Sequence, residues 1–274
     1  MAETSVFWLR VAAAFYSLGL LHAILTLTRR REQIFRVAIG SSALGAVFHF
    51  VSIVEDGLAS RQCPITNFYQ TLSMCAFLIV LLYLFVEWRY KLHSMSVFLF
   101  PLVFVMSLVA TFGNPVGSWP SPVVGGAWLS AHIALALLGY AALALMAFAS
   151  VLYLAQERAL KSKKPRKSYP WLPALGVLDE FIAKSMGAGF ALITLAVITA
   201  SVWAFIEHKT AWISQPGIPI AFFTWGVYLV LICLRTTVGW RGRKSALMTV
   251  IVLACSAATW VAHAQLGALL AGRQ

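Results

Sequence analysis

Residues 127–155 read AWLSAHIALALLGYAALALMAFASVLYLA, a run with one histidine and no Asp, Glu, Lys or Arg. A helix crossing a bilayer needs roughly 20 apolar residues. This run exceeds that length and is apolar all round, so lipid rather than a protein core is its solvent. Working outward, seven more stretches satisfy the same requirement: about 5–28, 35–54, 67–88, 94–112, 182–206, 218–236 and 245–269. The chain as a whole is 61% hydrophobic and only 11% charged, with a mean hydropathy of +0.83. That composition excludes a soluble domain. The expected fold is all-α: a polytopic membrane helix bundle with eight transmembrane helices, forming a single integral membrane domain over residues 1–274.

A net charge of +12 invites a nucleic-acid reading, but the placement of the basic residues argues for topology instead. With the N-terminus outside, all of the 21 basic residues except Arg10, Arg61, Lys209 and Arg273 fall on the cytoplasmic side. This is the asymmetry of the positive-inside rule, and it predicts both termini on the outer side. The first stretch carries Arg10 and has no small-residue cleavage pattern before the arginines at 29–31, so it reads as a retained helix. Of the four cysteines, Cys75, Cys233 and Cys255 lie within apolar stretches and Cys63 lies in an outer loop. No disulfide framework is implied.

Two connections are long. GNPVGSWPSPVVGG (113–126) is an outer loop punctuated by Gly and Pro. ERALKSKKPRKSYPWLPALGVLDE (157–180) is cytoplasmic, and its basic start followed by an apolar half predicts a short helix lying at the interface. No repeat of fixed period is present.

Among the six histidines, three share a depth. His49 lies five residues before the end of the second stretch, His132 five after the start of the fifth, and His263 about six before the end of the eighth. At 1.5 Å per residue each is roughly 8 Å below the outer boundary. Ionisable side chains at such depth are costly and mark functional sites by default; the competing reading for each is a hydrogen-bonded core histidine. Neutral imidazole ligates zinc, copper and haem iron. Zinc calls for further Cys, Asp or Glu ligands, and at this level Glu55, Asp56 and Glu207 read as exposed helix-end residues. A porphyrin asks for small residues beside its axial ligand, aromatic walls and cations for its propionates. Gly45 and Ser42 flank His49, Ala136 and Gly139 flank His132, and Thr259, Ser256 and Gly267 flank His263. Helix packing through small residues would look the same. Trp119, Trp128, Trp203, Trp212 and Trp260 stand on the same side with Arg61 and Lys209, where an aromatic belt is the competing reading.

Several segments are specific enough to place beside a family. AWLSAHIALALLGYAALALMAFASVLYLAQERALK (127–161), GFALITLAVITASVWA (189–204), CPITNFYQTL (63–72) and above all WGVYLVLICLRTTVGWRGRK (225–244) resemble the cytochrome c assembly family. These multi-spanning membrane proteins, with their HemX-type relatives, handle haem during c-type cytochrome maturation. The resemblance implies that His132 matches the histidine before the family's Trp-rich loop and His263 the one after it, the two axial ligands of an outward-facing haem iron. His49 resembles an early-helix histidine. Within the loop, Trp212 and Pro216 match, whereas Ser214 and Gln215 replace a Trp and an Asp, and Gly217 and Ile218 stand where Lys and Glu are usual. Cys233 occupies the place of a further intramembrane histidine in synthetase members.

The expected function is a haem-binding membrane protein of cytochrome c assembly, with haem b held or handed over between His132 and His263. Trp119, Trp128, Trp203 and Trp212 are its expected walls, with Arg61 and Lys209 as propionate partners. A haem chaperone or transfer component is implied rather than a stand-alone catalyst, in the bacterial cytoplasmic (inner) membrane. Its expected partners are haem, membrane lipid, and another assembly subunit or an apocytochrome. A HemX-type regulator of haem biosynthesis and a transporter without cofactor are the alternatives.

Overall fold

The computed structural model describes residues 3–29, 32–60, 64–65, 67–113, 127–162, 172–208 and 217–271, with backbone alone at 27–29, 32, 127, 129–130, 207–208, 217, 220 and 258–271. Eight α-helices account for nearly all of it: α1 (Glu3–Arg29), α2 (Glu32–Ser60), α3 (Phe68–Tyr90), α4 (Ser96–Ala110), α5 (Ala127–Lys161), α6 (Leu175–His208), α7 (Gly217–Thr236) and α8 (Arg243–Ala271). A 3-10 turn at His93–Met95 leads into α4. Among the described residues six helices are long and apolar enough to cross a membrane, and Ala221–Thr236 is a shorter apolar run. The chain is a multi-pass, all-α membrane protein.

Its helices fall into two compact units, Met1–Gly126 with Arg166–Pro173, and Ala127–Pro165 with Ala174–Gln274. In the first, α1 packs on α2 and α4, and α3 joins α2 to α4. In the second, α5 packs on α6 and α8, and α7 joins α6 to α8. Each unit is thus a closed ring of four helices in chain order.

Three helices run six or seven residues past their expected limits: α5 continues from 155 to Lys161, and α2 and α6 are extended through charged residues that find partners inside the protein. α2 continues past residue 54 to Ser60, carrying Glu55 and Asp56 within the helix. Asp56, expected to be exposed, is buried and accepts a 2.7 Å bond from Gln70 Nε2. Trp8 Nε1 donates to Glu55 Oε1 across 3.1 Å. α6 begins at Leu175, so the apolar half of the 157–180 connection is the first turns of a long helix and not a separate helix at the interface. Pro173 stands just ahead of it, where proline is compatible with a helix start.

The charge that lets α6 begin so early is Asp179. Arg235, near the end of α7, grips it with both ends of its guanidinium: Nη2 to Oδ2 at 2.9 Å and Nη1 to Oδ1 at 3.2 Å. Nη2 also donates to the Asp179 carbonyl, and Nη1 to Ser245 Oγ at 2.9 Å on α8. The backbone N–H of Gly242 completes the cluster with a 3.2 Å bond to Asp179 Oδ1. Reaching that position requires a tight turn, and Gly239 and Gly242 supply it with φ of 72° and 62°, values that side chains rarely tolerate. The arginine and the Gly-Trp-Arg-Gly turn are therefore one device that fastens α6, α7 and α8 together.

Removing one partner of such a pair leaves the other charge uncompensated. With the Asp179 side chain 27% exposed and that of Arg235 11%, we expect Asp179→Asn to cost about 2 kcal/mol, below the fully buried range. Thermal unfolding in mild detergent reads the loss; an unchanged Tm would mean that the pair does not hold the second unit together.

Candidate functional site

α5 and α6 lie antiparallel and close. The approach is set by Gly139: a Cβ there would come within 2.6 Å of Ile193 Cδ1 on α6. Helices in lipid associate through such small-residue contacts. The close approach brings the first turns of α5 against the carbonyls of α6, where two side chains one turn apart dock. Trp128 Nε1 donates to Thr199 O at 2.9 Å, and His132 Nδ1 is 2.8 Å from Ala196 O.

The second contact determines the state of the imidazole. A carbonyl oxygen only accepts, so Nδ1 carries the proton and Nε2 of the neutral ring carries a lone pair. Thr199 Oγ1 lies 3.3 Å from the same nitrogen, while its own proton goes to the Leu195 or Ala196 carbonyl. Nε2 has no hydrogen-bond partner among the described residues, and the residue is half-buried. A ring nitrogen tied to a backbone carbonyl, with the other left basic, is how metal-ligating histidines are usually held. Trp203, one turn beyond Thr199 on α6, is half-buried at the same end of the unit.

His263 is carried by α8; its side chain lies outside the described residues. The start of α8 meets the end of α5, with Arg243 Nε 4.0 Å from Glu157 Oε2. His263 lies about 30 Å along α8 from that contact, and His132 about 38 Å back along α5. Both are therefore carried toward the end of the second unit away from its basic turn.

His49, in the first unit, is placed differently. It is fully buried, with Nε2 2.8 Å from Ser73 Oγ and Nδ1 3.2 Å from Tyr16 OH. Both nitrogens are engaged, an arrangement that fixes the ring rather than presenting a lone pair. The small residue beside it, Gly45, makes room for the Tyr16 ring, just as Gly139 makes room for Ile193. At these two positions the small residues serve helix packing. Ser52 Oγ donates to Ser5 O at 2.6 Å, and with the Asp56–Gln70 and Glu55–Trp8 bonds it extends the polar contacts of this unit.

Arg61, Trp119, Lys209 and Trp212 lie outside the described residues, as do Cys63 and the side chains of Glu207 and Trp260. Among the described residues no group of three or more His, Cys, Asp or Glu is placed to hold a metal ion. The sequence reading missed Asp179, the counter-charge whose signal was Arg235 within an apolar helix. It also missed the Ala196 carbonyl, for which no residue-level signal exists.

Residues 65–259 match the family described as "Cytochrome C assembly protein". Proteins named "Cytochrome c biogenesis protein CcsA" are similar over most of the chain. That of Guillardia theta is 21% identical over 262 residues, covering 89% of this chain and 85% of the relative. That of Prochlorococcus marinus (strain MIT 9301) is 29% identical over 223 residues, 72% of each. That of Chlorella vulgaris is 26% identical over 221 residues, covering 69% and 70%.

The two histidines predict opposite mutational signatures. His49→Ala strands two buried hydroxyls and opens a cavity, and is expected to cost about 2–4 kcal/mol. His132→Ala, half-buried with one carbonyl bond, is expected to cost about 1 kcal/mol or less. Paired thermal unfolding curves test this; equal losses would mean that His132 is as much a core residue as His49.

Proposed function

The chain belongs to the cytochrome c assembly protein family and is a membrane protein of cytochrome c biogenesis; from that premise we propose that it binds haem b on the outer side of a bacterial cytoplasmic membrane, with His132 and His263 as axial ligands. The observation that carries the proposal is the Nδ1 contact of His132 with Ala196 O. It places the proton of the neutral imidazole on Nδ1 and so leaves its lone pair on Nε2, which fits the residue to an iron-bound role. His132 and His263 would hold the haem iron, and ligation by two histidines would suit holding or handing over the group rather than oxygen chemistry.

The protein's own residues do the rest. Trp128 and His132 are fastened to successive turns of α6, so the ligand is held on two rigid helices and not on a loop. Trp203 adds an aromatic side chain at that end. Trp119 and Trp212 are proposed as further walls, and Arg61 and Lys209 as cations for the propionates. His49 keeps the place in the first unit that its two hydrogen bonds give it, outside the ligand pair.

Orientation follows from charge. Within the second unit, Arg158, Lys161, Lys184, Arg235, Arg241, Arg243 and Lys244 gather at the end opposite His132. The positive-inside rule puts that end in the cytoplasm, with both termini outside and all eight helices spanning. A second reading, a HemX-type regulator of haem synthesis, draws its support from Ser214 and Gln215, which replace a Trp and an Asp of the family's Trp-rich loop. Under it haem is held and sensed; under the first it passes to an apocytochrome or another assembly subunit.

An optical spectrum of the purified protein, oxidised and then dithionite-reduced, tests the site. We expect a sharp reduced α-band of low-spin b type, lost in His132→Ala/His263→Ala and kept in His49→Gln at a detergent and temperature where that variant stays folded. A colourless wild type expressed with ample haem would sink the proposal.

A further inference from the structure

The second unit contains a cavity that the proposed haem site does not use. It measures about 560 Å³ and opens between α6 and α7, at the end where α6 begins and α7 finishes. That volume is within the usual range of about 300–1,000 Å³ for small-molecule pockets. Its apolar lining is Ala183, Met186, Gly187 and Ile232. Gly187 is exposed and a Cβ built on it meets nothing within 4 Å, so this glycine borders the open side of the slot and not a packed neighbour.

The mouth is charged, and its charges are not equivalent. Asp179 is saturated by Arg235 and the Gly242 N–H. Glu180 is paired with Lys184 at 2.6 Å. Arg241 also lines the cavity, is exposed, and has no counter-ion among the described residues. It sits in a turn with Arg243 and Lys244, beside Trp240, over whose ring Lys244 lies at 5.5 Å. A tryptophan among cations at the end of apolar helices is the composition of a membrane interface on its anionic, cytoplasmic face.

A slot with an apolar floor, a guanidinium at its rim and a position at headgroup level matches one class of ligand. We propose that the α6–α7 cavity binds an anionic phospholipid, its phosphate on Arg241 and an acyl chain against Met186, Gly187 and Ile232. The ligand fills the space beside the Asp179–Arg235 pair, at the end of α6 and α7; further along, the two helices meet directly through Trp225, Thr194 and Phe190. This site is separate from His132 and does not depend on haem being bound.

Phosphatidylglycerol is the probe. The full chain is purified into nanodiscs of phosphatidylcholine with and without phosphatidylglycerol, and retained lipid is counted by native mass spectrometry after release into detergent. Wild type is expected to retain one phosphatidylglycerol per chain, with at least a tenfold preference over phosphatidylcholine. Arg241→Gln should reduce that preference about fivefold, and Gly187→Leu, whose side chain enters the empty space, should abolish retention. Near-wild-type circular dichroism in both variants checks that the bundle is intact; a variant that fails it is replaced by Arg241→Ala or Gly187→Val. Equal retention of the two lipids, or retention unchanged in both variants, overturns the proposal. So does displacement of the lipid by haem in a His132→Ala/His263→Ala background, which would assign the cavity to a tetrapyrrole.

Discussion

Lipid offers no hydrogen bond, so each polar group that enters it must be satisfied by the protein itself. That constraint organises both units. His132 is held by a carbonyl of α6, His49 by hydroxyls of Tyr16 and Ser73, Asp56 by Gln70, and Asp179 by Arg235. Each of these bonds joins two different helices. These four polar residues, which make the membrane segments look imperfect in sequence, help to fix which helix lies beside which, while glycines such as Gly45 and Gly139 set how closely they lie.

The same constraint separates two histidines that look alike in sequence. Each lies about five residues from the expected end of its stretch, and each has small neighbours. What differs is the chemistry of the partner. Two hydroxyls can donate or accept, so His49 sits in a closed arrangement with either tautomer available. A single carbonyl can only accept, so His132 is left with one basic nitrogen and a fixed proton. Availability for a ligand is decided by this asymmetry more than by depth in the membrane.

How much was legible follows from the same physics. The eight helices could be found because bilayer thickness sets a minimum apolar length, and 127–155 exceeds it without a charge. The ends of α2 and α6 could not, because they depend on where Asp56 and Asp179 find partners, and those partners lie on other helices. The motif at 225–244 was recognisable as a pattern; its physical content, an arginine clamp with a glycine turn folded onto Asp179, needed the third dimension. His132 was legible as an anomaly in an apolar run. Its proton was not, since the acceptor lies 64 residues away and every residue has a carbonyl.

The ring closure of the second unit also sets a schedule. α5 is the first of its helices to leave the ribosome and α8 the last, yet α8 packs directly on α5. Until residues 243–271 have been made, α5 has one flank uncovered and His132 lacks the helix that carries His263. If His132 and His263 hold haem as proposed, the capacity to bind it is thereby coupled to completion of the chain's own synthesis, and a chain lacking the last helix would lack one of the two ligands.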